Sequence, residues 1–193
     1  MQKELFIPEG AHETITIRGN LPPESSYVIT VHVAKNASLA VEELIETSIP
    51  CTVRFTALLE GEGASLIDKS RYRGHGDALL DMERVVVHKA PGTSSEVDAR
   101  GVMDDKARAL WRGRIVVERA AKKARAFLRH DAMLASYDAF VDAAPFLEIF
   151  TDDVSCKHSA SVRRIQPELL FYMKSRGVLE EDARNMLLEG FLL

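Results

Sequence analysis

The sequence predicts a mainly β protein that ends in a short pair of helices. Three observations predict it. Apolar and polar residues alternate in stretch after stretch of residues 1–163, the period of a strand with one buried face. Turn-forming clusters separate these stretches at short intervals. No long helical pattern interrupts them, which argues against a sheet wound with crossover helices. The expected organisation is a β unit over residues 1–163 and a helical segment over 164–193.

The strands follow in order. Ile15 and Ile17 alternate with Thr14, Thr16 and Arg18. Ile29, Val31 and Val33 alternate with Thr30 and His32, and Leu39-Ala40-Val41 comes next. Cys51, Val53, Phe55 and Ala57 alternate with Thr52, Arg54 and Thr56. Further strands are expected at Ala64–Ile67, Val85–Val87, Arg114–Val117 and Phe146–Ile149. The turns between them are Pro22-Pro23, Gly61-Glu62-Gly63, Gly74-His75-Gly76, Pro91-Gly92 and Asp104-Asp105. A sandwich, a closed barrel and a solenoid of stacked strands all satisfy this pattern. Solenoid repeats run to roughly 20–45 residues, and the uneven spacing here does not choose among the three.

The composition changes near residue 164. Gln166-Pro167-Glu168 reads as a helix start, with Pro at the first helical position and an acid at the positive end of the dipole. Leu169, Leu170 and Met173 supply an apolar stripe, and Arg176-Gly177 a stop. Glu180-Glu181-Asp182 opens a second helix, whose apolar side is expected at Ala183, Met186, Leu187, Gly190 and Phe191. Such a pair can cover an exposed sheet end or dock a partner.

Charge and composition exclude several functions. With 25 Lys+Arg against 29 Asp+Glu the net charge is -4, unsuited to general nucleic-acid binding. No apolar run approaches the roughly 20 residues of a membrane span, and the first residues carry no signal-peptide pattern. Cys51 and Cys156 form no CxxC pair, so neither a disulfide framework nor a four-thiolate zinc site is available within one chain. A reduced, cytoplasmic protein is expected. Phosphate loops, HExxH and GxSxG are missing. The adjacent acids Asp104-Asp105 and Asp152-Asp153 suit turns better than paired acid–base work.

The segment Asp152–Arg163 is the most informative. Val154, Cys156, His158, Ala160 and Val162 fall on one face, and Ser155, Lys157, Ser159, Ser161 and Arg163 on the other. As a strand it sets Cys156 and His158 side by side, pointing into apolar company. Thiolate and imidazole together suit zinc, iron or copper. Two ligands leave a site incomplete, so others would come from elsewhere in the fold, a second chain or an exogenous thiol. The competing reading is a buried thiol acting as a small hydrophobe beside a core histidine. Cys51 reads as core, and His12 and His32 as solvated. His75 lies in a Gly-flanked turn and His88 ends a strand. His130 sits in Arg129-His130-Asp131, where a carboxylate neighbour can raise its pKa, although such pairs are common on surfaces.

Four segments resemble the core proteins of the SUF iron–sulfur cluster assembly system, SufB and SufD. They are His88–Ser95 with Arg100–Asp105, Trp111–Val117, Pro145–His158, and Leu170–Val178 followed by Ala183-Arg184 and Gly190-Phe191. The resemblance spans about residues 85–193. It implies a right-handed parallel β-helix closed by C-terminal helices, and so selects the solenoid. It also implies a non-catalytic scaffold for cluster assembly, working with a SufC-type ATPase and a SufB-type subunit or a second copy of the chain. The Cys-x-His pair resembles the SufD form, which puts His158, and with it Cys156, at the subunit boundary as ligands of a transient cluster. Leu170, Phe171, Arg176 and Phe191 fall in the helical segment that contacts the ATPase in the family. Family members are usually longer, with a helical region before the β-helix, and commonly carry Gly where this chain has Ser159. A β-helix adaptor that dimerises without handling clusters is the alternative. An enzyme of carbohydrate or acyl groups lacks a convincing site.

Overall fold

The computed structural model describes residues 2–20 and 26–193; the expected Pro22-Pro23 turn lies outside them. Strands run in chain order as β1 (Gln2–Ile7), β2 (His12–Asn20), β3 (Ser26–Val33), β4 (Ser38–Thr47), β5 (Cys51–Leu59) and β6 (Ser65–Gly74). They continue as β7 (Leu79–His88), β8 (Ser94–Met103), β9 (Arg108–Val117), β10 (Ala124–Leu134), β11 (Phe140–Ile149) and β12 (Val154–Arg164). Helices α1 (Pro167–Ser175) and α2 (Glu180–Leu192) follow. Odd-numbered strands form one parallel sheet and even-numbered strands a second, each in chain order. The chain therefore crosses from sheet to sheet at every corner, which is a β-solenoid.

The turns of the solenoid lengthen along the chain. Paired residues of neighbouring turns lie 26 positions apart at the start (Ser26 beside Thr52), 32 between β9 and β11 (Arg108 beside Phe140) and 30 between β10 and β12 (Ala124 beside Val154). That drift is why periodicity in the sequence is blurred. Strands and corners share the growth: β3 has 8 residues and β10 has 11, and the corner between β3 and β4 is shorter than that between β9 and β10.

One corner is built the same way on five turns. Gly10, Asn36, Gly63, Gly92 and Lys123 each take a positive φ there. Their N–H groups donate to the carbonyls of Lys35, Glu62, Pro91, Lys122 and Asp153 on the next turn. The backbone ladder thus continues around the bend, leaving few polar groups unmet. Inside it, Ala37, Ala64, Thr93 and Ala124 stack as small buried residues.

Between the sheets lies a core that includes Val31, Val53, Phe55, Leu80, Trp111 and Ile115, all at 1% exposure or less. Each such large side chain contributes about 1.5–3 kcal/mol on burial. Polar groups share this interior. Glu43, Asp68, Ser70 and Arg84 are buried together. His88 is held by hydroxyls on both ring nitrogens, Thr93 Oγ1 at 2.9 Å and Ser95 Oγ at 2.9 Å. Tyr72 meets His130 Nε2 at 2.6 Å, and the imidazole stacks on Trp111 with centroids 4.3 Å apart.

Gly101 makes room for this aromatic group: a Cβ there would penetrate the Tyr72 ring. Overpacking of a dense core costs about 1–3 kcal/mol. Gly101→Ala is therefore expected to lower the unfolding free energy from urea denaturation by at least that range, and the double variant Gly101→Ala/Tyr72→Leu to restore part of it. An unchanged midpoint for the single variant would show the interior to be loosely packed.

The helices attach unequally. α2 buries Ala183, Leu188 and Phe191, the last two in a cluster with Val102 and Ala135. Arg71 donates to the Leu192 carbonyl at 2.6 Å and Arg100 to that of Phe191 at 3.1 Å, matching cations to the negative end of the helix. The expected apolar side of α2 is corrected in part: Met186 and Gly190 are exposed, and Leu188 is buried instead. α1 buries no residue; of its expected stripe, Leu170 and Met173 are half-covered and Leu169 is exposed. Gly177, at φ 88°, ends it as expected.

Candidate functional site

The candidate site occupies the last turn of the solenoid. β12 and β11 are the outermost strands of their sheets at this end. In register on β10, Cys156 lies beside Ala126, His158 beside Leu128 and Ala160 beside His130. Ala126, Leu128 and His130 are buried, because a further turn lies over them. β12 has no further turn over it. Cys156 is half-buried and packs on the core, with Val154 and Leu147 among its apolar company, while His158 and Ala160 are exposed.

The alternation thus places the thiol and imidazole on one face as expected. The apolar surroundings expected for both reach only Cys156. His158 stands at an uncovered end, where a partner or ligand can meet it. Ser159 is exposed and lies on the opposite face. Burial raises the Cys156 thiol pKa above its ordinary value, offset in part by a backbone hydrogen bond with Ala126. The free thiol is therefore protonated near neutral pH, and metal binding must release that proton. Among the described residues no group of three or more His, Cys, Asp or Glu side chains gathers to hold a metal; this face carries one thiol and one imidazole.

Behind this face, Asp131 is a fixed anion. Burial acts to raise its pKa, but hydrogen bonds from Ser161 at 2.6 Å and Arg129 at 2.6 Å outweigh this and lower it. The Ser161 bond ties the outward side of β12 to β10, and the Arg129 bond lies within β10. The His130 pKa is not raised on balance. Its ring points into the core, and burial, only partly opposed by Asp131, pushes it down to about 4. His12 is exposed, His75 sits in its turn and Cys51 is buried in the core. His32 is not simply solvated; it lies between two glutamates.

On the helical pair, Phe171 is 75% exposed and Leu170 half-buried. Arg176 lies over the Tyr172 ring at 5.4 Å. Phe191 turns inward, with Arg163 over its ring at 5.0 Å, and anchors α2 rather than facing out. Leu169, Tyr172, Leu179 and Met186 are further exposed apolar residues of the helical segment. Sequence reasoning did not single out Tyr172 and Leu179; an aromatic and an aliphatic residue flanking the helix stop were the available signal.

Residues 4–191 match the family model described as SUF system FeS cluster assembly, SufBD core domain. An iron–sulfur cluster assembly SufBD family protein of Staphylococcus saprophyticus is 35% identical over 136 residues, which is 70% of this chain and 29% of that protein. Namesakes in Staphylococcus haemolyticus and Staphylococcus epidermidis are 34% identical over the same shares. The matched stretch spans less than a third of the length of these relatives.

Proposed function

Because the chain belongs to the SufBD core family of iron–sulfur cluster assembly proteins, we propose that it is a non-catalytic, SufD-like scaffold subunit on which clusters are built. The observation that carries this reading is the placement of Cys156 and His158 side by side on the uncovered last turn. Cysteine thiolate and imidazole nitrogen are both ligands of iron–sulfur centres. The cluster is cargo here. Two ligands from this chain hold it weakly, and a SufB-type subunit or a second copy seated on the same end supplies the rest. Such a shared site can form and release its cargo as the two subunits move.

The SufC-type ATPase would dock on the helical pair, against Leu170, Phe171 and Arg176 and the apolar residues around them. Both cysteines are free, which suits a reducing cytoplasm. No helix among the described residues is long and apolar enough to cross a membrane.

The test is co-purification with the ATPase and SufB-type subunits of the same source, then anaerobic loading with iron and sulfide. His158→Ala is expected to cut cluster absorbance by about tenfold or more, no less than loss of a supporting residue costs a metal site, with the complex intact. Unchanged loading would favour the adaptor reading, in which the apolar end face serves pairing alone.

A further inference from the structure

At the opposite end of the solenoid, β1 is an edge strand of six residues, and only Ile7 of them is buried. Its outer face carries a three-part contact. His32 of β3 holds its Nε2 2.9 Å from Glu4 of β1 and its Nδ1 3.1 Å from Glu60, just beyond β5. Phe6 of β1 stacks on the imidazole, with centroids 4.5 Å apart and planes 14° from parallel. One ring thus ties three successive turns together. We infer that Glu4, His32 and Glu60 form a proton-operated clasp that holds the terminal strand β1 onto the solenoid.

The chemistry follows from the ring. A doubly protonated imidazole has two N–H donors, one for each carboxylate. A neutral ring has one N–H and one lone pair. Whichever nitrogen gives up its proton then faces a carboxylate lone pair, so one bond is lost and becomes a repulsion. The face of Phe6 also attracts the charged ring more than the neutral one.

The titratable groups meeting the ring are Glu4 from β1 and Glu60 from the β5 side. Directly beside it, β5 presents the uncharged Leu58. Lys89, beyond β7, reaches Glu60 at 2.8 Å and leaves that carboxylate's other oxygen to His32. Partial burial acts to lower the His32 pKa, but the hydrogen bonds to Glu4 and Glu60 outweigh it, and the net direction is upward from 6.5. The contribution of the clasp is therefore complete below pH 6.5 and lost as pH rises through the folded-state value. Above it, β1 frays and the edge of β3 opens for pairing with another strand.

The test reads amide protection factors, corrected for intrinsic exchange, for Lys3–Ile7 between about pH 6 and 9, with a histidine NMR titration beside it. In the parent chain, β1 protection should fall three- to tenfold, roughly the effect of one or two exposed charged hydrogen bonds, while β7 protection stays constant. His32→Gln should show the low value at every pH, and Glu4→Gln should lose most of the pH dependence. A His32 pKa at or below 6.5 would overturn the inference. So would β1 protection at pH 6 that is equal in the parent and His32→Gln.

Discussion

Replacing Arg84 with Met is expected to destabilise the protein by about 3–5 kcal/mol, because it leaves buried carboxylates without their cation. Arg84 is 1% exposed and projects from β7 between the two sheets. Its Nη2 donates to Glu43 and to Ser70 Oγ, and its Nε lies 3.5 Å from Asp68 Oδ2. Phe55 stacks beneath the guanidinium at 5.1 Å. Tyr27 and Ser70 donate further hydrogen bonds to Glu43. Arg84→Lys keeps the charge but not the planar fork, so it should recover only part of the loss. Replacing Arg84, Glu43 and Asp68 together with apolar residues should recover most of it, since an apolar set of similar volume often matches a buried ion pair. Urea denaturation measures all three. An unfolding free energy for Arg84→Met within about 1 kcal/mol of the parent would show that the two acids are neutral in the fold without any cation.

Acid should weaken the protein well above the usual carboxylate range. His88 and His130 are each pushed down to about 4 by burial, whereas an unfolded histidine titrates near 6.5. Between those values the unfolded chain binds protons that the folded chain refuses, so stability falls as pH falls. Each histidine contributes on the order of 3 kcal/mol across the window, at about 1.4 kcal/mol per pKa unit. Asp68 works in the opposite direction. Burial, opposed by Arg84, raises it to about 6, so the folded state keeps a proton that the unfolded state has released, and its contribution grows as pH falls. Two histidines against one aspartate leave a net loss on the order of 3 kcal/mol between about pH 6.5 and 4. The clasp at His32 is already complete there. Urea midpoints at about pH 6.8, 5.5 and 4.5 should descend, and His130→Gln should flatten the descent. A level series would mean that the two rings together lose no more than Asp68 returns, so at least one of them keeps a near-ordinary pKa inside the fold.

The alternation of Val53, Phe55 and Ala57, or of Val31 and Val33, made the strands readable, because each has one face in a core. β8 and β10 escaped notice. On β8 three of the inward residues are small or polar, Ser95, Ala99 and Gly101, and leave only Val97 between them to mark the face, and on β10 the outward Phe127 breaks the contrast. The solenoid itself was carried by family resemblance, since turns that lengthen from 26 to 32 residues leave no fixed repeat to find. The pairing of Cys156 with His158 was legible from spacing alone. The exposure of His158 was not. Alternation tells which face a side chain takes, and says nothing about whether another turn lies over it. The Arg84 cluster draws on residues far apart in the chain, and no local pattern announces it.

The lengthening turn also bears on how copies of this chain can meet. Both ends of a parallel spiral offer unsatisfied backbone, so such a molecule is in principle a monomer for endless fibres. Here a newcomer would have to continue a wide final coil with a narrow first one, and its bends would overhang rather than stack. Like ends have no such mismatch, since two equal rims brought together by a twofold axis fit by symmetry. Head-to-tail stacking of these two coils is thereby discouraged, while pairing of like coils stays open.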